Sequence, residues 1–191
     1  MPLQFDERTL VQQAQSGDLD ALGALYEQHV AAIYRFIVYR TGDAMVAEDL
    51  TAEVFAAMMT AIQRYKERGL PFKAWLFRIA RAKVADYWRK VKRHEKYQEV
   101  FVQADTSAKS MQNAPEDHFR YENLQKALRY LTPAEVEVVI LRFSGGLDHQ
   151  EIATVIRSNA NAVKSKLRRA LEKLHHVLDQ LEEFTEERGK K

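Results

Sequence analysis

Apolar residues recur at spacings of three and four along most of the chain, from Leu10 to Leu178. That period puts them on one face of a helix and does not suit the two-residue alternation of a half-buried strand. Only seven glycines and four prolines interrupt it. The chain therefore reads as all-α. Breaks fall at Ser16-Gly17-Asp18, Thr41-Gly42-Asp43, Lys66 to Pro71, Ser144-Gly145-Gly146 and Arg157-Ser158-Asn159-Ala160. Asp18 and Asp148 are placed to cap the helices that follow. Thr132-Pro133-Ala134-Glu135 spells a capping box with proline at the first helical position.

Periodicity fades between residues 98 and 118, where Asp105-Thr106-Ser107, Gln112-Asn113 and Ala114-Pro115-Glu116-Asp117 lie. The expected organisation is two small helical domains, 1–97 and 119–180, joined by a flexible linker at 98–118 and followed by a charged tail, 181–191. In the first domain a single helix from Asp43 to Tyr65 should bury Val46, Leu50, Val54, Phe55, Met58 and Ile62. In the second, one helix should bury Val136, Val139, Ile140 and Phe143. The last helix should bury Val163, Leu167, Ala170, Leu171, Leu174 and Leu178.

Several chemistries are excluded. With no cysteine there is no disulfide framework, thiolate zinc site or cysteine nucleophile, and a reducing cytoplasm is the expected compartment. The histidines at 29, 94, 118, 149, 175 and 176 lack metal-ligand spacing and read as surface or partly buried. No glycine-rich phosphate loop occurs. No catalytic residue, metal or cofactor is expected, and there is no apolar run long enough to span a membrane. The N-terminus lacks the order of a signal peptide.

What remains is charge. Between Pro71 and His94 eight Lys and Arg face one acid, Asp86, a local balance of +7 in a chain of net +2. Both tryptophans lie in that stretch. On a helix, Phe72, Leu76, Ile79, Ala80, Tyr87 and Val91 share a core face. Arg78, Arg81, Arg89 and Lys92 share another, and Trp75, Phe77 and Trp88 lie near the boundaries. Cations hold phosphates while aromatic rings stack on unpaired bases, so this pattern suggests single-stranded or partly melted nucleic acid; the alternative is an amphipathic helix with a solvated basic face. The preceding helix carries Asp43, Glu48, Asp49 and Glu53 with no basic residue across that span. The helix dipole accounts for Asp43 but does not reach Glu53, so the patch suggests a partner of opposite charge, with a solvated face as the alternative. Near the C-terminus, two helices joined by a short turn, the second strongly basic, have the pattern of a helix-turn-helix. Its last helix offers Asn161, Lys164, Ser165, Lys166, Arg168 and Arg169 to duplex DNA, the alternative being a simple helical hairpin with a soluble outer face.

Together these segments resemble bacterial RNA polymerase sigma factors of the extracytoplasmic-function (ECF) group. The carrying residues are Ala47-Glu48-Asp49-Leu50 with Glu53-Val54-Phe55, Phe72 to Arg81 with Asp86-Tyr87, Leu131 to Glu135, Leu141-Arg142-Phe143, Gln150 to Ala153 and Val163 to Ala170. The resemblance implies that Glu48, Asp49 and Glu53 dock on core RNA polymerase. It implies that Lys66, Arg68, Phe72, Trp75, Arg78, Arg81, Asp86, Trp88 and Arg89 serve the melted minus-ten element. The last helix would read the minus-thirty-five element of promoter DNA, and an anti-sigma factor is a further implied partner. Four positions depart from the family pattern: Ala82 where Asn is frequent, Arg157 where the turn usually has Gly, and Asn161-Ala162 in place of Gly-Thr. Arg157 is expected to need a left-handed backbone. The alternative reading is a two-domain helix-turn-helix regulator that does not join the polymerase.

Overall fold

The structure, a computed structural model, describes residues 6–67, 69–95 and 127–189, with side chains to 92 in the first half and to 180 in the second. Among them are seven α-helices and no strand. They are α1 (Glu7–Gln15), α2 (Leu19–Thr41), α3 (Ala44–Ala61), α4 (Phe72–Glu95), α5 (Pro133–Phe143), α6 (His149–Ile156) and α7 (Ala160–Gly189). The expected linker 98–118 and Arg68 lie outside the described residues.

Most boundaries follow from local chemistry. Asp18 Oδ1 accepts from the amides of Asp20 and Ala21 and starts α2. Gly42, at φ 75°, turns left-handed and ends it. Asp43 caps α3 through the Val46 amide. The expected helix from Asp43 to Tyr65 is shorter: it tightens into a 3-10 turn at Ile62–Arg64. Both predicted caps of the second half are full capping boxes, Thr132 with Glu135 and Asp148 with Glu151.

The helices α1 to α4 bury Leu25, Ile33, Phe36, Ile37, Val54, Met58 and Leu76. The second bundle packs α5 and α6 on α7 around Leu141, Leu147, Ile152, Val163 and Ala170. Each such large side chain contributes roughly 1.5–3 kcal/mol on leaving water. The two bundles also touch, α2 against α5 and α4 against α6, so one buried apolar cluster runs through both.

That contact explains where the expected stripes fail. Helix α5 is covered on one side by α7 and on another by α2, so it buries Glu135 and the run Glu137 to Leu141, while Val136, expected in the core, is half-buried. Phe143, expected in the core, lies on the uncovered last turn and is 64% exposed. Leu171 is also exposed, whereas Leu167, Ala170 and Leu174 are buried as expected. On α4, Phe77 sinks fully into the interface rather than lying at a boundary, and Ile79, Tyr87 and Val91 are only half-buried.

Candidate nucleic-acid and protein interface

The loop between α3 and α4 is closed from within. Tyr65, at the end of the 3-10 turn, is buried, and its hydroxyl donates to Leu70 O at 2.8 Å. Burial, with the carboxylates of Glu67 and Glu7 nearby, pushes its phenol up to about 12, so it remains a donor at neutral pH. Its ring packs on Phe72 and on Trp75, with centroids 5.7 and 4.9 Å away. Phe72 is buried and Trp75 half-buried, while Lys66 is exposed beside them. The sequence therefore places an aromatic cluster under a loop that presents a cation.

Along α4 the other expected nucleic-acid residues differ in their surroundings. Arg78 is exposed. Arg89 is exposed and pairs with Asp86 three residues earlier. Trp88 is half-buried and donates its indole N–H to Arg40 O at 3.2 Å. Arg81 is engaged elsewhere: its Nε donates to Glu137 Oε1 at 3.0 Å, and Glu137 is nearly buried. Lys73, Phe77 and Arg81, four residues apart, form a stripe towards the second bundle. Lys73 Nζ donates to Gly146 O at 3.1 Å. The Phe77 ring lies so near Gly145 that a Cβ there would meet two ring carbons at 3.0 Å and Leu141 O at 2.6 Å. Only glycine fits that approach.

The acidic face of α3 is less isolated than its sequence suggests. Glu48 and Asp49 are exposed. Glu53 accepts from Lys83 of α4 at 2.7 Å, and both border an open groove with Asp49, Leu50, Asp86, Tyr87 and Lys90.

In the second bundle the turn between α6 and α7 has the expected strain. Arg157 adopts φ 57°, ψ 55°, the left-handed conformation, and is the one non-glycine residue with positive φ among the described residues. The Ser158 N–H reaches back to Ala153 O at 2.8 Å, and Asn159 Oδ1 caps α7 through the Ala162 amide at 2.8 Å. Asn161, Lys164, Ser165, Arg168 and Arg169 are exposed on α7, and Lys166 is half-buried. Arg168 pairs with Glu172 one turn on. Deeper in, Lys173 Nζ donates to both oxygens of Glu135, at 2.8 and 3.0 Å, tying α7 to the cap of α5. The Lys173 hydrogen bond, then the Thr132 amide, hold the Glu135 carboxyl at about 2.

Three participants escaped the sequence reading. His29, expected at or near the surface, is buried 2.8 Å from Glu7 Oε1. Gln15 donates from one amide nitrogen to Ile62 O and Tyr65 O. Glu137 meets Arg81. Each depends on a contact between segments far apart in sequence, for which no local pattern is a signal.

Comparison with known proteins follows these two halves. Residues 25–94 match the Sigma-70 region 2 family and residues 121–174 match Sigma-70, region 4. The ECF RNA polymerase sigma factor BldN of Streptomyces coelicolor is 37% identical over 174 residues; the match covers 88% of this chain and 64% of that protein. The ECF RNA polymerase sigma factor SigD of Mycobacterium bovis is 32% identical over 173 residues, covering 86% of this chain and 80% of the relative. Among solved structures, CnrH in complex with the cytosolic domain of CnrY superposes with a TM-score of 0.68 at 25% identity, covering 91% of this chain and 97% of CnrH. The sigma factor RpoE of Bartonella quintana, bound to the anti-sigma factor NepR, has the same fold, with a TM-score of 0.71 at 22% identity over 82% of this chain and 96% of that one.

Proposed function

The chain belongs to the ECF family of RNA polymerase sigma factors, and from that premise we propose that it joins core RNA polymerase, selects promoter DNA and helps melt it. The observation that carries this reading is the presence of two chemically distinct cationic surfaces on one chain. One is α4 with its aromatic cluster beneath the 65–71 loop, suited to unpaired bases. The other is α7, with short polar groups and cations exposed after a helix-turn-helix turn, suited to the major groove.

The roles divide accordingly. Glu48 and Asp49 on α3, with Glu53, form the acidic surface for the polymerase. Lys66, Arg78 and Arg89 hold phosphates near the captured bases, and the Tyr65-Phe72-Trp75 cluster supports the loop that receives them. Lys164, Lys166, Arg168 and Arg169 position α7 on the upstream duplex, while Asn161 and Ser165 approach base edges. The work is binding and strand capture, not covalent catalysis. A segment of an anti-sigma protein is a further partner, supported by the complexes in which the structural neighbours were solved.

The test is transcription by purified core polymerase with and without this chain on a genomic promoter library. Start sites that appear only with the chain are the expected result. A regulator that does not join the polymerase would bind duplex DNA and leave core polymerase inactive on those promoters.

A further inference from the structure

We infer that α1, which precedes the segment matched to Sigma-70 region 2, sets the shape of the 62–71 loop and thereby the base preference at the minus-ten element. This rests on the reading of that loop as the base-capturing segment. Three side chains of α1 reach it or the core beneath it. Gln15 Nε2 donates to Ile62 O at 2.9 Å and to Tyr65 O at 2.8 Å. Arg8 grips both oxygens of Glu67, at 2.9 and 3.0 Å. Glu7 reaches buried His29, whose ring lies 5.7 Å from that of Phe72.

The carbonyls that Gln15 meets lie at the two ends of the 3-10 turn that follows α3: Ile62 O also accepts from the Tyr65 N–H, and Tyr65 O lies just past the turn, where a helix end leaves acceptors to be met from outside. One primary amide carries two N–H donors and fits two such acceptors at once. The contact fixes the carbonyl of Tyr65, whose hydroxyl holds Leu70 O and whose ring packs on Trp75. A change at Gln15 therefore reaches both ends of the loop through one residue. Between α1 and the loop lies an open cleft of about 730 Å³ whose walls include Val11, Gln12, Lys66 and Phe72. Helix α1 thus supplies one wall of the cleft and fixes the other. A loop held in shape before the base arrives loses less freedom on capturing it and admits fewer alternative fits, so loss of the brace should flatten the differences between bases as well as weaken capture.

Arg8, Gln15 and Glu7 are positioning residues in this scheme. The experiment uses the full chain with core polymerase on templates randomised across the minus-ten element, for Gln15→Leu, Arg8→Glu and the swap Arg8→Glu with Glu67→Arg. Trp75 emission in a Trp88→Phe background reports the loop without polymerase. Gln15→Leu should shift that emission and reduce discrimination between best and worst base by about tenfold, the worth of two neutral hydrogen bonds. Arg8→Glu, at the surface, should act in the same direction but less, and the swap should restore the profile. If Lys66→Ala or loop shortening changes the selected sequences while Gln15→Leu and Arg8→Glu leave both profile and emission unchanged, α1 is packing only and the inference is overturned. If the loop variants also leave the selected sequences unchanged, the loop does not read bases, and the reading beneath the inference fails with it.

Discussion

Arg157 and Glu135 show how single residues carry the helix-turn-helix. A left-handed backbone costs a non-glycine residue roughly 1–2 kcal/mol, and Arg157 adopts one to close α6. Arg157→Gly removes that strain, though the greater freedom of glycine in the unfolded chain offsets part of the gain. The expected net stabilisation is about 0.5–1 kcal/mol, read as a melting temperature about 1–4 °C higher by calorimetry. Glu135 works in the other direction. Its carboxyl is held at about 2 against an ordinary value of 4.5, first by Lys173 and then by the Thr132 amide. A depressed carboxylate contributes stability that is complete above the unfolded value and is lost as pH falls through the folded one. Stability should therefore decline between about pH 4.5 and 2. Glu135→Gln keeps the shape but should cost about 1–2 kcal/mol at neutral pH and flatten that part of the curve, as followed by thermal unfolding against pH.

At the scale of helices, the acidic face of α3 is the surface most open to test. Glu48 and Asp49 are exposed, whereas Glu53 is paired with Lys83. Replacing Glu48 and Asp49 with Lys should weaken core polymerase binding at least tenfold with helix content unchanged, measured by titrating labelled chain with core enzyme. Glu53→Lys should also set a lysine against Lys83 and cost some stability, so it is the less clean probe. The helix ends themselves were legible because their causes are local: Asp18, Gly42, Asp43, Thr132 and Asp148 act within a few residues of where they stand. The exposed cations of α7 were legible for a similar reason, since the buried stripe Val163, Leu167, Ala170 and Leu174 fixes which face is left. The fates of Phe77, Phe143 and Arg81 were not. Phe77 and Arg81 are decided by the second bundle resting on α2 and α4, and Phe143 by the lack of cover on the last turn of α5; periodicity along one helix holds no record of which helix covers it. Gln15 was missed because a polar residue on a short helix has no pattern to betray a partner about fifty residues away.

For the whole molecule, the contact between the two bundles bears on what the free chain can bind. The face of α7 proposed to meet duplex DNA is exposed, but part of α4 is covered: Lys73 and Arg81 are turned to Gly146 and Glu137, and Phe77 is buried against Gly145. Arg81 cannot give its full charge to a phosphate while Glu137 holds its Nε. Glu137 is the informative residue to change, because its removal leaves every proposed DNA-binding cation in place. The carboxylate is nearly buried, whereas the guanidinium is partly solvated, so Glu137→Ala leaves behind a cation that water can still reach. The stability cost should be modest, about 1 kcal/mol. The gain should appear in binding: without polymerase, the variant should bind a labelled single-stranded minus-ten oligonucleotide several-fold more tightly than the parent chain. One further phosphate contact on a single strand should steepen the dependence of log K on log salt by about 0.7. Duplex carrying only the upstream element should be bound equally by both, since α7 is not involved. Fluorescence anisotropy across a salt series measures all three quantities. A slope and affinity for single strand identical to the parent's would show that the Arg81–Glu137 pair does not limit access to α4.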